Sequence, residues 1–124
     1  MAPRVLVIDD DGINRLVFVR MLEAIGFAGQ PAAGARDGLA AVAAGGIDAV
    51  LMDVQMPDMD GLAATRALRA SEAGGRRMPV IGVSAHALPE DRAAALAAGM
   101  DDYLTKPVRM ADLRWCLDRH MGEG

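Results

Sequence analysis

The feature that most constrains the fold is a short, uninterrupted apolar run, residues 49–52, which leads directly into Asp53. Such a run, bounded by turn residues, is typical of a strand buried on both faces in a parallel sheet. The loop that follows is rich in Pro, Gly and Asp. Because a strand of this kind delivers its last residue to the carboxyl edge of the sheet, we expect Asp53 at an open rim. The alternative is that Asp53 only ends the strand and caps the turn.

Polar side chains also follow three other apolar runs. Residues 5–8 lead into Asp9 and Asp10, residues 79–83 into Ser84, and residues 102–105 into Lys106. The remaining strand, 27–33, contains Pro31 and fits only an edge position or a bulge. Carboxyl ends of parallel strands share one edge, so these side chains are expected to converge with Asp53.

Helical spacing of apolar residues fills the intervals between the predicted strands. The predicted helices are 13–25, 36–44, 62–73, 89–98 and 108–121, and Gly residues follow the first four. Asp11 is the expected N-cap of the first helix, whose apolar positions are Ile13, Leu16, Val17, Met21, Leu22 and Ile25. Five strands alternating with five helices through short connections require a parallel sheet covered on both faces.

Length and composition exclude several classes of protein. The 124 residues suit one domain, 1–124 with its core at about 4–121, and the net charge of -4 argues against a nucleic-acid surface. We find no apolar run of membrane-spanning length and no signal peptide. Cys116 is the single cysteine, which excludes an internal disulfide. A soluble, cytoplasmic protein is expected.

Three carboxylates, a hydroxyl and an ammonium group are the components of a phosphoryl-transfer site built around a divalent cation. They are supplied by Asp9, Asp10, Asp53, Ser84 and Lys106. Their convergence by coincidence is the competing explanation, but packing alone does not place this set on one rim.

These residues lie in motifs that resemble the receiver domain of two-component response regulators. The motifs are IDD at 8–10, LMDVQMPDMDG at 51–61, VSA at 83–85 and TKP at 105–107, in the order and spacing of that family. The runs DDDGINRLV, MPDMDG and HALPEDRAAALAAGMDDYLTKPV are most similar to receivers of hybrid histidine kinases and their phosphorelay partners. The resemblance implies a flavodoxin-like, doubly wound α/β fold with five parallel strands in the order 2-1-3-4-5 and five helices.

The resemblance also implies roles for the acids. Asp53 is the expected phosphoacceptor, which takes a phosphoryl group from a phosphohistidine of a histidine kinase or histidine phosphotransfer protein. Asp10, Asp53 and the backbone carbonyl of Gln55 are the expected ligands of Mg²⁺, for which Mn²⁺ could substitute, and Asp9 is expected to act through a metal-bound water. A downstream protein is expected to bind through about residues 89–121, with no nucleic-acid or membrane partner.

Other roles implied by the resemblance concern the switch. Lys106 is expected to pair with Asp53 before transfer and with a phosphoryl oxygen afterwards. Ser84 is expected to donate its hydroxyl to the phosphoryl group only once that group is present. Tyr103 resembles the family's switch aromatic, although it could simply cover the core at an edge strand. The Lys106–Pro107 peptide is expected to be cis.

The rim of the site and the last helix carry further candidates. Ala85 is small and leaves the acceptor accessible, while His86 and Gln55 occupy positions that in the family influence the lifetime of the acyl phosphate. Trp115 is a candidate partner contact, or a ring lying flat along its own helix. The expected inner stripe of that helix includes Met110, Leu113, Cys116, Leu117 and His120.

Three rival functions remain at this point. A haloacid-dehalogenase-like phosphohydrolase needs a second Asp two residues after its nucleophile, where this chain has Gln55. A nucleotide-binding module needs a Gly-rich phosphate loop, which follows none of the strands. A receiver-like module that only binds partners is disfavoured by the complete acid, hydroxyl and lysine set. We therefore expect a phosphoacceptor with self-catalysed transfer and autodephosphorylation, and no small-molecule turnover. Whether it is a stand-alone regulator or part of a larger protein, and whether it is monomeric, stays open.

Overall fold

A computed structural model describes residues 2–72 and 75–121. Within them, five parallel strands form one sheet in the order β2-β1-β3-β4-β5. The strands are β1 (Arg4–Ile8), β2 (Ala28–Ala32), β3 (Ala49–Asp53), β4 (Val80–Ser84) and β5 (Asp102–Thr105). The helices are α1 (Gly12–Ala24), α2 (Ala35–Ala44), α3 (Gly61–Glu72), α4 (Pro89–Ala98) and α5 (Met110–Met121). The predicted doubly wound α/β fold and its strand order are confirmed. The predicted end of the third helix, Ala73 with Gly74, lies outside the described residues.

The edge position of β2 explains how a strand with the sequence AGQPA can form. β2 pairs only with β1, where Pro31 lies opposite Val7. A proline can occupy an edge strand because its missing N–H leaves no hydrogen bond unmade on the open side. The prediction of an edge strand from Pro31 is therefore confirmed.

Alternation along the central strands divides the core into two layers. Leu6 and Met52 belong to the layer that includes buried residues of α2, α3 and α4. Val5 and Leu51 point to the other face, where they pack with buried residues of α1 and α5. Both faces are apolar, which is why β1, β3 and β4 read as continuous apolar runs.

The predicted apolar stripe of α1 is only partly buried. Phe18 and Leu22 face the core, whereas Ile13, Leu16 and Val17 are 74%, 55% and 49% exposed. At about 100° of rotation per residue, Leu16 points roughly 160° away from Phe18. The apolar residues of α1 therefore occupy two faces, of which only one meets the sheet. Met110, predicted on the inner stripe of α5, is also 46% exposed and lies at the first residue of that helix.

A buried carboxylate fixes α5 against the sheet. Asp102 at the start of β5 accepts hydrogen bonds from the Cys116 thiol at 3.4 Å and contacts His120 Nε2 at 3.0 Å. Arg92 of α4 lies 3.2 Å from its other oxygen. Burial raises the pKa of Asp102, but the bonds from His120, the Tyr103 backbone and Cys116, together with the charge of Arg92, outweigh it, so the pKa lies below 3.8.

We predict that Asp102→Asn lowers the free energy of unfolding by about 1–3 kcal/mol at pH 7, because bonds to a charged acceptor are lost. A depressed pKa stabilises the fold above the unfolded-state value of 3.8 and ceases to do so as pH falls through the folded-state value. The difference between variant and wild type should therefore shrink below about pH 4. Urea unfolding from pH 3 to pH 8 measures it, and a pH-independent difference would contradict the assignment.

Gly61 brings α3 against the end of β3. A Cβ on Gly61 would lie 2.9 Å from Val54 Cα and 3.0 Å from the Asp53 carbonyl carbon, both backbone atoms. Gly12 begins α1 in the same way, but there a Cβ would meet only the end of the Arg15 side chain, at 3.3 Å. Side chains can move aside, whereas the backbone at the end of β3 cannot.

We accordingly expect Gly61→Ala to destabilise the protein by about 1–3 kcal/mol through overpacking. Gly12→Ala is the matched control and should change stability by less than about 0.5 kcal/mol. Thermal and chemical denaturation of both variants decide the matter. Equal effects would show that the approach of Gly61 to β3 is not a constraint on the fold.

Candidate functional site

Strand order brings the predicted polar residues to one edge of the sheet. β1 and β3 are neighbours in register, with Ile8 opposite Met52, so Asp9 and Asp53 emerge side by side. One carboxylate oxygen each from Asp9, Asp10 and Asp53 lies within 4.8 Å of the others. Asp9 and Asp53 are buried, whereas Asp10 is exposed. The predicted convergence of acids is thus present.

Lys106 is the cation shared by the two buried acids. Its Nζ atom lies 3.7 Å from Asp9 Oδ2 and 3.7 Å from Asp53 Oδ1. Arg15 contributes a second positive charge, since its guanidinium donates to the backbone carbonyl of Asp9 at 2.7 Å. Arg15 is not among the predicted site residues, although its place one turn into the helix that follows the acids was the available signal.

Asp53 is poorly stabilised as an anion. Burial is the main cause that raises its pKa to about 6, and the negative charge of Asp9 adds to it. Lys106 and the backbone N–H of Gln55, which donates to Asp53 Oδ1 at 3.2 Å, lower the pKa but do not offset burial. Opposing forces of this kind are common at functional sites.

The donor set fits a hard divalent cation. Three carboxylates provide oxygen ligands within reach of one ion, and one of them is open to solvent. Mg²⁺ prefers a few carboxylates together with retained waters. A cation there would also relieve the repulsion among the acids.

The neighbouring acids have other places in the structure. Asp58 is an exposed loop residue, and Asp60 accepts from the Ala63 N–H at 2.8 Å as a turn residue. Asp11 is confirmed as the N-cap of α1, accepting from the Ile13 N–H.

Ser84 is buried at the end of β4 and is bonded to its neighbours on the rim. Its hydroxyl donates to Gln55 Oε1 at 3.0 Å and accepts from the backbone N–H of His86 at 3.0 Å. The Gln55 amide nitrogen lies 3.4 Å from His86 Nδ1. Ala85, between Ser84 and His86, is exposed. The sequence predicts these residues at the rim of one site, but their hydrogen bonds to one another were not predicted.

The Tyr103 side chain is buried and contacts the loop after β4. Its ring is buried, and its hydroxyl donates to the backbone carbonyl of His86 at 2.7 Å. The loop after β4 is therefore attached to β5 through this side chain. The Lys106–Pro107 peptide is cis. Trp115 is 57% exposed, and the Arg119 guanidinium lies 4.9 Å from its ring centroid.

Comparison with known proteins shows the family to which this fold belongs. The family model described as "Response regulator receiver domain" matches residues 5–118. The chain belongs to the response regulator receiver family. The family predicted from the four sequence motifs is thereby confirmed.

Relatives of this receiver include parts of much longer signalling proteins. It is 44% identical over 109 residues to "Sensor protein GacS" of Pseudomonas syringae pv. syringae, with 86% of this chain and 12% of that protein covered. It is 34% identical over 119 residues to "Hybrid signal transduction histidine kinase G" of Dictyostelium discoideum, covering 94% of this chain and 4% of that protein. The chain therefore spans a small fraction of the length of these relatives. The second is a hybrid histidine kinase, the class of protein to whose receivers the sequence motifs are most similar.

A solved receiver gives a structural comparison. The receiver domain of the sensor histidine kinase PA1611 from Pseudomonas aeruginosa PAO1 has a TM-score of 0.88 and 37% identity, covering 99% of this chain and 100% of that one. That structure has a magnesium ion coordinated in its active site cleft. Among residues 2–72 and 75–121, no helix of this receiver has the length and apolarity that crossing a membrane requires.

We predict that Asp53→Asn stabilises the metal-free receiver by about 2–3 kcal/mol at pH 7.5, since the pKa of Asp53 is raised from 3.8 to about 6. A raised pKa favours the fold while Asp53 is protonated, and that contribution is lost as pH rises from about 4 through 6. The gain should therefore vanish near pH 4. Denaturation in a chelator measures it, and added Mg²⁺ should stabilise the wild type more than the variant. A destabilised variant at pH 7.5 would contradict this electrostatic account.

Proposed function

We propose that this receiver accepts a phosphoryl group on Asp53 from a phosphohistidine of a histidine kinase or a histidine phosphotransfer protein. The observation that carries the proposal is a buried carboxylate at a strand end, within 4.8 Å of two further carboxylates and 3.7 Å from a lysine ammonium. Membership of the receiver family and relatives that are sensor and hybrid kinases support the same function.

Asp53 acts as the nucleophile. One of its carboxylate oxygens attacks the phosphorus, the P–O bond to Asp53 forms, and the P–N bond to the partner's imidazole breaks. The imidazole keeps the electron pair of that bond and leaves as a neutral ring once it carries a proton. With a pKa of about 6, Asp53 is mainly anionic at neutral pH, as the attack requires.

The acids would hold Mg²⁺, or Mn²⁺ in its place. Asp10 and Asp53 would be direct ligands together with the backbone carbonyl of Gln55, and Asp9 would act through a water. When bound, the ion would neutralise negative charge on the phosphoryl oxygens. Lys106 would pair with a phosphoryl oxygen after transfer, because its Nζ already lies 3.7 Å from Asp53 Oδ1.

The donor protein is proposed to dock beside the site on the exposed face of α1. Ile13, Leu16 and Val17 form this patch, and Val17 also lines a groove with Lys106 and Pro107. Exposed apolar side chains next to a reacting residue suit a partner that must bring its imidazole to Asp53. An apolar surface would exclude water around the reacting groups.

The output surface is proposed to be residues 89–121. Phosphorylation would draw the Ser84 hydroxyl to a phosphoryl oxygen, and Tyr103 would respond because its hydroxyl is bonded to the same loop. The exposed Trp115 is a contact for the downstream protein.

We also propose that residues 1–124 act as one cytoplasmic receiver domain that turns over no small-molecule substrate. The net charge of -4 favours protein partners over nucleic acid.

We expect acetyl phosphate or phosphoramidate with Mg²⁺ to add one phosphoryl group to the wild type and none to Asp53→Asn. Asp58→Asn is the matched control, since Asp58 is an exposed acid in the adjacent loop, and it should be phosphorylated like the wild type. Intact-protein mass measures the adduct, which should not form when a chelator replaces Mg²⁺ and should be hydrolysed in base.

Circular dichroism of the unphosphorylated Asp53→Asn protein should match the wild type, which excludes unfolding as the cause of the loss. An adduct of equal yield on Asp53→Asn would overturn the proposal. Failure of the wild type to take any phosphoryl group, from small donors and from phosphorylated histidine proteins alike, would favour a partner-binding module that lacks the chemistry.

A further inference from the structure

We propose that Gln55 is a positioning residue whose side chain accepts the hydrogen bond of the Ser84 hydroxyl in the unphosphorylated receiver. An arriving phosphoryl group must then displace the Gln55 side chain from Ser84. This inference rests on the proposed function, since it concerns the hydroxyl that would bind the phosphoryl group. The Gln55 side chain would compete with the phosphoryl group for the Ser84 hydroxyl, whereas the Gln55 backbone carbonyl would hold the metal.

Three hydrogen bonds join Ser84, Gln55 and His86 in a closed ring. The Ser84 hydroxyl donates to Gln55 Oε1 at 3.0 Å, Gln55 Nε2 lies 3.4 Å from His86 Nδ1, and the His86 backbone N–H donates to Ser84 Oγ at 3.0 Å. With His86 Nδ1 as the acceptor, every donor in the ring points to the next acceptor in the same direction. Bonds arranged head to tail polarise one another and strengthen the ring.

A serine hydroxyl has one proton to donate. Ser84 is 0% exposed, so water does not share that proton, and Gln55 Oε1 holds it in this state. A phosphoryl oxygen on Asp53 can receive the hydroxyl only after the bond to Gln55 breaks. The two acceptors therefore compete for the same proton.

The ring is attached to the protein on two sides. The Gln55 backbone N–H donates to the Asp53 carboxylate, and the Tyr103 hydroxyl donates to the His86 carbonyl. The ring and the Tyr103 hydroxyl therefore bind the same residue of the loop after β4, His86. His86, which contacts the amide end of Gln55, would set the orientation in which Oε1 faces Ser84.

The test is the affinity of the Mg²⁺-loaded receiver for beryllofluoride, a phosphoryl analogue, measured by calorimetry. Gln55→Leu removes the competing acceptor and keeps the backbone carbonyl. Since a neutral hydrogen bond contributes modestly in net terms, the variant should bind beryllofluoride about threefold to tenfold more tightly. Mg²⁺ is kept saturating for both proteins, so that the comparison does not depend on their affinities for the metal. Gln30→Leu on β2, a Gln whose side chain accepts from Arg4 at 3.4 Å, should leave the affinity for beryllofluoride unchanged.

A double-mutant cycle separates competition from a general structural effect. In Ser84→Ala, which has no hydroxyl to hold, Gln55→Leu should no longer change the affinity for beryllofluoride. His86→Ala should give part of the gain, and His86→Asn, which retains an acceptor for the Gln55 amide, should restore the wild-type value. An unchanged or weaker affinity in Gln55→Leu, or the same gain in the Ser84→Ala background, would overturn the inference.

The two proposals fail in different ways. Binding of beryllofluoride to the wild type with no gain in Gln55→Leu would leave the phosphoacceptor function standing and remove the role of Gln55. If neither protein binds beryllofluoride in the presence of Mg²⁺, the phosphoacceptor function is overturned, and the competition at Ser84 is overturned with it.

Discussion

Burial of two neighbouring carboxylates at the ends of adjacent parallel strands is the constraint on which the rest of this receiver depends. β1 and β3 are buried on both faces, and their register brings Asp9 and Asp53 side by side. Both carboxylates are buried there. Lys106, carried by the loop after β5, lies 3.7 Å from both. The pKa of Asp53 nevertheless stays raised to about 6, because one ammonium does not offset burial and a second buried acid. The site is thus prepared for added positive charge.

A continuous path of contacts connects that site to the opposite edge of the sheet. Ser84 and His86 bond to Gln55 beside Asp53, and the Tyr103 hydroxyl holds the His86 carbonyl. Tyr103 follows Asp102 in β5, and Asp102 is bonded to α5 through Cys116 and His120. A change in the partner of the Ser84 hydroxyl therefore acts on a loop that is joined, within a few contacts, to the helices of the proposed output surface.

The sequence was sufficient for the architecture because strand burial and strand ends are encoded locally. Continuous apolar runs, Pro31 and the residue that ends each run together predict the sheet, its edge and the acid cluster, all of which are present. The sequence was insufficient where a residue's surroundings depend on the face of the helix it occupies or on hydrogen bonds made by side chains. Ile13, Leu16 and Val17 follow helical spacing yet face solvent, and the ring through Gln55 joins two loops 29 residues apart in sequence. Arg15 was missed for the same reason, since its partner is a backbone carbonyl.

The most direct test of the account is the chemical identity of the phosphorylated residue. The receiver is phosphorylated with phosphoramidate and Mg²⁺ and reduced with borohydride, which converts an aspartyl phosphate to homoserine. Peptide mass mapping then locates the product. We predict homoserine at position 53 and unmodified carboxylates at Asp9 and Asp10. Homoserine at one of those two residues, or a phosphoryl group retained on a side chain that borohydride does not reduce, would contradict the account.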